Sequence, residues 1–232
     1  MNAFFKNKKF LQMGIAVFGI ALVIIAVLTF YGSNVGNFVM SIDPDLKEKQ
    51  IYMSQTKDFI NPSSLLQADA VHDARDITYT MLNIEEAKKA EGSYNDPNFK
   101  YLAYTFYVKN FGSQSTDLRY YVQITSVKKN VDKAIRFMVI TEIDGVSREM
   151  LFMAKDDEEA QYEDIPDCLE FVNERLIMRD KIYGFFPDQV IKYTVFMWLE
   201  GQDPDTTSDI LGGQIKIQMK FSAIDSGEKD EK

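Results

Sequence analysis

An uninterrupted apolar segment near the N-terminus constrains this chain more than any other feature of its sequence. Leu11 to Phe30 carries no charged side chain, and Gln12 is its only strongly polar residue. As an α-helix rising about 1.5 Å per residue, the segment would be roughly 30 Å long, the thickness of the hydrocarbon core of a bilayer. Lys6, Lys8 and Lys9 precede it, and such lysines mark the cytoplasmic side. The segment predicts a single-pass cell-membrane anchor with a cytoplasmic N-terminus and an extracytoplasmic C-terminal domain.

A cleaved signal peptide is the main alternative to this anchor. Signal peptides have a shorter apolar region, about 7–15 residues, which is followed by a small-x-small cleavage site. Here the apolar segment is longer and ends in Leu28-Thr29-Phe30-Tyr31, without such a site. A buried core helix fits less well, because it would normally carry a polar stripe. We therefore favour an uncleaved anchor.

Charge and composition exclude several classes of function. The chain has 26 Lys and Arg against 35 Asp and Glu, a net charge of -9. Nucleic-acid binding needs clustered Lys and Arg, so nucleic acid is not an expected partner. One His and one Cys are too few for most zinc, haem and iron–sulfur sites. Cys168 has no partner for an internal disulfide, and we expect it to be a half-buried small apolar residue.

Alternating and β-branched segments dominate the chain after the polar joint 31–37. Ile215, Ile217, Met219 and Phe221 alternate with polar residues, which is typical of a half-buried strand. Asp144-Gly145 separates two apolar segments, as in a tight hairpin turn. Besides the strand around Ile217, the predicted strands are Phe38–Ile42, Ile51–Ser54, Tyr101–Val108, Tyr120–Val127, Arg136–Ile143, Val146–Met153 and Val190–Leu199.

Helical signals are short. Asn83 to Ala90 begins with a capping Asn and has acids in its first turn and lysines in its last. Asn130 to Ala134 could form a single turn. Many short strands with few helices predict a mainly β fold, an antiparallel two-sheet sandwich of the Ig-like or jelly-roll type.

This pattern predicts three parts of the chain. They are a cytoplasmic stub with the anchor (1–30), one extracytoplasmic domain (31–225) and a disordered charged tail (226–232). Within the domain, the acidic stretch Lys155 to Pro166 is expected to be a solvated loop.

Motifs of the common enzyme classes are absent from the sequence. It has no Gly-x-Ser-x-Gly elbow, no phosphate-binding glycine loop, no GxGxxG and no His-Glu-x-x-His. The single histidine, His72, lies in a polar stretch that predicts an exposed loop. Carboxylate pairs for glycoside hydrolysis are uninformative here, because acidic residues occur throughout the chain. We therefore expect no catalytic residues.

The connection from Trp198 to Gly213 is the most distinctive segment, because it joins the two strongest strand predictions. Calcium binds oxygen ligands, and four acids in the segment could converge on such an ion. Those candidates are Glu200, Asp203, Asp205 and Asp209. The simpler interpretation is that Asp-Pro-Asp and Gly212-Gly213 set turns while Asp side chains cap backbone amides. Trp198, the only Trp, is then a core anchor beneath the loop.

Three blocks of sequence resemble a group of uncharacterised single-span surface proteins of Gram-positive bacteria. They are the anchor with its following Phe30–Ser33 and Val35–Phe38, the strand Tyr104–Val108 with Asn110-Phe111-Gly112-Ser113, and Trp198–Asp205 with Asp209 and Gly212-Gly213. More distantly, the chain is similar to the camelysin and TasA matrix proteins, which are secreted jelly rolls with a cleaved signal. The resemblance implies a surface-anchored β-sandwich and carries no activity.

Three functions follow from these observations as hypotheses. The leading one is a non-enzymatic, membrane-anchored extracytoplasmic module with a protein partner at the cell envelope or a structural role there. The second is a secreted matrix subunit of the camelysin or TasA type, from which the apolar segment has been cleaved. The third, less favoured, is a hydrolase that depends on carboxylates. No cofactor is expected, apart from the calcium candidate.

Overall fold

Two β-sheets pack face to face in the computed structural model, which describes residues 37–155 and 167–224. The predicted anchor Leu11–Phe30, most of the predicted acidic loop and the predicted tail lie outside these residues. Within residues 37–155 and 167–224, no helix is both long enough and apolar enough to cross a membrane. The described strands all belong to one compact unit.

Twelve strands and two short α-helices make up the described fold. In chain order they are β1 (Phe38–Ile42), α1 (Pro44–Glu48), β2 (Ile51–Ser54), β3 (Leu65–Gln67), α2 (Ile84–Lys89), β4 (Gly92–Ser93), β5 (Leu102–Asn110), β6 (Thr116–Lys128), β7 (Ile135–Ile143), β8 (Val146–Met153), β9 (Cys168–Glu170), β10 (Leu176–Phe185), β11 (Val190–Leu199) and β12 (Gln214–Ala223). Single 3₁₀ turns lie at Tyr79–Met81, Val131–Lys133 and Ser208–Ile210.

The strand order gives one five-stranded and one seven-stranded sheet. The first has the order β10-β6-β12-β1-β3. The second has the order β2-β5-β11-β7-β8-β9, with β4 also paired to β5. The mainly β, two-sheet prediction is confirmed.

The prediction that the sheets are purely antiparallel is wrong, because both sheets are mixed. β1 runs parallel to β12, with Phe38 opposite Ile217, and β8 runs parallel to β9, with Leu151 opposite Cys168. Parallel neighbours need a long crossover rather than a tight turn. β1 and β12 meet this condition because nearly the whole domain separates them in sequence. The sequence could not predict this, because periodicity within a strand does not report the direction of the neighbouring strand.

The hairpin between β7 and β8 forms where the sequence predicted it. Ile143 pairs with Val146 across a two-residue turn. Asp144 and Gly145 have φ angles of 50° and 82°, so both residues of the turn are in the left-handed region. Such a turn matches the twist of the flanking strands, and Asp-Gly adopts it at little cost.

Large aromatic side chains fill the space between the two sheets. Phe106 and Tyr193 stack with their ring centroids 5.2 Å apart, and both contact Phe221. Tyr120 packs against Tyr193 at 5.4 Å and against Phe221 at 5.6 Å. All four are essentially inaccessible to solvent. Burial of these rings from both sheets is the main apolar stabilisation that fixes one sheet on the other.

A second apolar cluster lies on the outer face of the seven-stranded sheet. Phe196 and Trp198 of β11 pack there with Met138 of β7. Residues 77–101, which include α2, supply the cover, with Ile77 and Ala87 in the cluster. Trp198, predicted to be a core anchor, is 2% exposed within this cluster.

Helix α2 lies inside the predicted segment 83–90, but its predicted cap is not made. Asn83 occupies the N-cap position without a side-chain hydrogen bond to the helix. Instead, its backbone N–H donates to the Tyr101 hydroxyl at 3.0 Å. The contact with Tyr101 ties the start of α2 to the outer apolar cluster.

Candidate functional site

The Trp198–Gly213 connection is attached to the rest of the sandwich by main-chain and side-chain bonds. The Glu200 N–H donates to the carbonyl of Ala134, and the Gly201 N–H donates to the carbonyl of Ile77, each at 2.9 Å. The Thr206 hydroxyl donates to the Glu200 carbonyl at 2.7 Å. The connection is therefore an ordered cover over one end of the seven-stranded sheet.

Two of its acids are buried and bonded to protein groups. Glu200 is 0% exposed and accepts hydrogen bonds from the Trp198 indole N–H at 2.9 Å and the Gln202 N–H at 3.2 Å. Asp203 accepts a bond on Oδ1 from the Asp205 N–H at 2.8 Å. This second bond is the turn-capping role that the sequence indicated for Asp side chains.

The partner of Asp203 is a buried arginine on another strand. Arg136 Nη1 of β7 lies 2.7 Å from Asp203 Oδ2, and both side chains are almost fully buried. Burying two charges is costly unless they are paired at good geometry, as they are here. Sequence analysis missed Arg136, because it lies in an apolar strand far from the loop and carries no local signal.

Two of the four acids predicted as calcium ligands already have protein partners. Glu200 and Asp203 are directed at Trp198 and Arg136, while Asp209 is exposed. Among the residues that the structure describes, no three His, Cys, Asp or Glu side chains are placed to hold a metal ion. The geometry of Glu200 and Asp203 supports the alternative interpretation, in which acidic side chains accept hydrogen bonds from the amides of turns.

Gly212 and Gly213 are required by the backbone for different reasons. Gly212 has a φ of +72°, a left-handed conformation that side chains disfavour. A Cβ on Gly213 would lie 2.8 Å from the Ile210 carbonyl oxygen and 3.0 Å from the Val131 Cβ. The predicted structural role of the pair is thus explained by one turn and one close approach.

Cys168 lies beside this network, half-buried as predicted. Burial raises the pKa of its thiol, Glu200 raises it further, and the guanidinium of Arg136 opposes the shift. The net increase keeps the thiol protonated at neutral pH, which is the opposite of what a nucleophilic cysteine needs.

His72 is exposed in an irregular segment, also as predicted.

A cleft of about 280 Å³ opens between β10 of one sheet and the β7–β8 hairpin of the other. Its lining is apolar in part, with Ile143, Val146 and Ile182, and polar in part. The polar lining residues are Tyr120, Thr141, Arg148, Asp180 and Lys181. No motif indicated this site, because its residues come from four strands.

Asp180 organises one wall of the cleft. Its Oδ2 accepts hydrogen bonds from the Tyr120 hydroxyl at 3.1 Å and from Arg148 Nη1 at 2.9 Å. Burial raises the pKa of Tyr120 above its usual range, and the nearby Asp180 charge adds to that increase. Tyr120 therefore stays protonated and remains a donor to Asp180.

Two buried hydroxyl groups near this wall have no hydrogen-bond partner. They are Thr141 Oγ1, on a residue 8% exposed that lines the cleft, and the Tyr193 hydroxyl, on a residue 0% exposed. The Thr141 side chain lies close to the Tyr120 hydroxyl and opposes part of the rise in the Tyr120 pKa. The geometry between the two hydroxyl groups is not that of a hydrogen bond. A buried hydroxyl without a partner costs about 1–3 kcal/mol of stability.

Replacing Thr141 with Val is expected to leave the free energy of unfolding unchanged or to increase it by up to about 1 kcal/mol. The methyl group fills the same volume without an unsatisfied hydroxyl. Thr105→Val is the matched control, because the buried Thr105 hydroxyl donates to the Ala87 carbonyl at 2.7 Å. That variant should lose about 1–2 kcal/mol. Urea unfolding measures both, and equal losses would show that Thr141 is satisfied in solution.

Comparison with known proteins adds no function to this geometry. No protein-family model and no curated protein match the chain. Among solved structures, a β-glucosidase from Kluyveromyces marxianus in complex with glucose is similar over 78% of this chain, at 10% identity and a TM-score of 0.23. A selenomethionine-labelled structure of a β-glucosidase from the same organism covers 75%, at 11% identity and a TM-score of 0.24. The chain spans 16% of the length of each, and likeness at this level carries no argument.

Proposed function

We propose that this protein is a non-enzymatic, membrane-anchored extracytoplasmic module that makes contacts or bears load at the cell envelope. The observation that carries the proposal is the uncharged segment Leu11–Phe30, preceded by three lysines and followed by a domain whose described part is a β-sandwich. An apolar segment of this length matches the hydrocarbon core of a bilayer. The resemblance to single-span surface proteins supports the same assignment.

The position of the first strand supports a load-bearing role. β1 follows the joint and lies inside the five-stranded sheet, bonded to β12 on one side and β3 on the other. A force transmitted along the chain from an anchor would therefore load two strand pairs at once. A tethered domain that had to withstand such force would be expected to integrate its first strand in this way.

Exposed aromatic side chains support a contact surface. Tyr183 and Phe186 are 63% and 61% exposed at the end of β10, which is an edge strand. Gly184 lies between them with a φ of +66°, at an irregularity in the pairing with β6. Exposed aromatic residues are enriched where proteins bind one another. A protein partner at the envelope would be expected to use this end of β10.

The enzymatic alternative has weaker support. A hydrolase that depends on carboxylates needs two of them at a pocket. The cleft described above is lined by one carboxylate, Asp180, whose Oδ2 is bonded to Tyr120 and Arg148.

The full-length protein is expected to remain in the membrane pellet after alkaline carbonate washing. Its N-terminal residues should be retained, and external protease should digest the domain while it spares the anchor. The matched control replaces Ile20 and Ile24 with Lys, since each charge at the centre of a membrane helix costs about 2.5–3.5 kcal/mol. That variant should appear in the wash.

Two outcomes would contradict the anchored module. One is a released form that begins near Tyr31 and assembles into filaments, which would favour the matrix subunit. The other is recovery of the wild-type and the lysine variant in the same soluble fraction. The net charge of -9 opposes close self-association at low salt, so a monomer or small oligomer is expected instead.

A further inference from the structure

The first and the last described strands of the domain lie side by side and run in the same direction. β1 and β12 pair over five residues, from Phe38 opposite Ile217 to Ile42 opposite Phe221. The start of β1 and the end of β12 therefore lie at opposite ends of the five-stranded sheet. At a rise of about 3.3 Å per residue, Phe38 and Ala223 are about 20 Å apart along the strand direction.

Main-chain hydrogen bonds hold both ends of β1 to β12. At its start, the Asn37 carbonyl accepts from the Ile217 N–H at 2.8 Å. Just beyond its end, the Asp43 N–H donates to the Phe221 carbonyl at 2.9 Å. The opposite edge of β1 is bonded to β3. The strand cannot leave the sheet without losing bonds on both of its edges.

Two side chains that follow β1 add further bonds to the end of β12. The Asp43 carboxylate lies 2.6 Å from the Lys220 ammonium. Asp45 of α1 accepts a hydrogen bond on Oδ2 from the Ala223 N–H at 3.0 Å. These contacts join the far ends of the two strands, so the whole length of the pair is bonded.

The core opposes sliding of β1 along β12. Phe38, Met40 and Ile42 face inward and are 0%, 0% and 5% exposed, whereas Val39 and Ser41 face outward. A shift of one residue would exchange the two faces and place Ser41 in the apolar core. The register is therefore fixed by packing as well as by hydrogen bonds.

The direction of a pulling force decides how this pair is loaded. A force that pulls the start of β1 away from the end of β12 runs along both strands and strains all of their mutual bonds together. A force that pulls the start of β1 away from Gln214, the start of β12, opens the bonds one after another. The first is shear and the second is unzipping, and shear requires several bonds to break in one step.

The surface assigned above to a protein partner lies at the shear-loaded end of the sandwich. On β6, Leu118 is opposite Ala223 of β12, and Thr116 is opposite Phe185, the last residue of β10. The exposed aromatic residues at the end of β10 are thus near the end of β12 and far from the start of β1. A partner held there would pull along the strands.

We propose that β1 and β12 form a mechanical clamp, which carries tension in shear between the N-terminal anchor and the end of the sandwich that holds the partner. The use of this clamp at the envelope rests on the proposed anchored module. The resistance to force itself depends only on the strand order, the bonds and the buried side chains described here.

Magnetic tweezers test the clamp on the full-length protein in detergent micelles, with its N-terminus fixed and a constant force applied at one of two positions. A handle at the C-terminus loads the pair in shear. A handle on Leu211→Cys, which is 69% exposed in the wild type and lies just before β12, unzips it. Cys168→Ser is present in both proteins so that only the handle reacts. At the same force, unfolding through the C-terminal handle is expected to be about tenfold slower or more, because several hydrogen bonds must break together.

Two variants show whether the far end of the pair bears load. Asp45→Ala removes the acceptor of the Ala223 N–H and should speed unfolding in shear by about threefold or more. In the unzipping geometry its rate should stay the same, because the bonds at the starts of the strands break first. Glu48→Ala, at an exposed acid of the same helix, should behave like the wild type in both geometries.

Three results would overturn the clamp. They are equal unfolding rates at the two handle positions, faster unfolding through the C-terminal handle, and equal acceleration by Asp45→Ala in both geometries. The last would mean that the contact contributes only to general stability. None of them bears on membrane anchoring, which the carbonate wash tests separately.

Discussion

Replacing Arg136 with Met is expected to destabilise the domain by about 3–5 kcal/mol. The Arg136 and Asp203 side chains are 3% and 1% exposed and lie 2.7 Å apart, so removal of the guanidinium leaves a carboxylate buried without its partner. Breaking a buried pair in this way costs about that amount. Urea unfolding followed by circular dichroism and Trp198 fluorescence measures the loss.

Two controls separate the buried pair from a general effect of removing arginine. Arg148→Met breaks an exposed ion pair with Asp180 and should cost less than about 1 kcal/mol. A double variant with Arg136→Met and Asp203→Leu should recover much of the loss, because buried pairs can often be replaced by apolar residues without penalty. If Arg136→Met and Arg148→Met unfold at the same urea concentration, the buried pair contributes little.

The strands that could be predicted are those with a signal in their own sequence or in the adjoining turn. β8 and β11 coincide with the predicted segments, and β12 contains its alternating residues. β11 and β12 each have at least one face buried, so apolar residues recur at the period of a strand, whereas only Met150, Leu151 and Phe152 of β8 are buried. The Asp144-Gly145 turn could also be predicted, because the preference of Asp-Gly for a two-residue hairpin turn does not depend on the rest of the fold.

The strand β10 was missed for a physical reason. Its centre reads Arg179-Asp180-Lys181, three charges in a segment that otherwise looks apolar. As an edge strand it has only one neighbour, β6, and charged residues on edges discourage pairing with other chains. The feature that protects the edge therefore also hides the strand from a periodicity argument.

The same limit applies to the candidate sites. Trp198 and the glycine pair could be identified because their roles are local to one segment. Arg136 could not be paired with Asp203, nor Asp180 with Arg148 and Tyr120, because those contacts depend on which strands are neighbours. Periodicity identifies strands, whereas sites are built by strand order.

One sequence signature gains a physical explanation from the structure. In Asn110-Phe111-Gly112, the Asn110 amide donates to the carbonyls of Gln114 and Phe185, each at 2.9 Å, and accepts from the Gly112 N–H at 2.8 Å. A Cβ on Gly112 would collide with the carbonyl oxygen of Lys49. The signature thus joins the β5–β6 turn to the last residue of β10, and the close approach to Lys49 admits only glycine at position 112.

Replacing Asn110 with Ala is therefore expected to lower the free energy of unfolding by about 2–4 kcal/mol. Asn110 is 0% exposed, so water cannot replace the three hydrogen bonds, and two carbonyls and one N–H lose their partner. The urea midpoint should fall, with little change in the slope of the transition, because the native contacts elsewhere remain.

Asn173→Ala is the matched control, since Asn173 makes comparable bonds in an exposed turn. Its Oδ1 accepts from the N–H groups of Arg175 and Leu176, at 2.9 and 2.8 Å. Water can solvate those groups after truncation, so the loss should be about 1 kcal/mol or less. If both asparagine variants lose the same stability, burial at Asn110 adds nothing and the signature is only a turn. If Asn110→Ala alone is severely destabilised, the Asn110 amide is the group that fixes the β5–β6 turn to the end of β10.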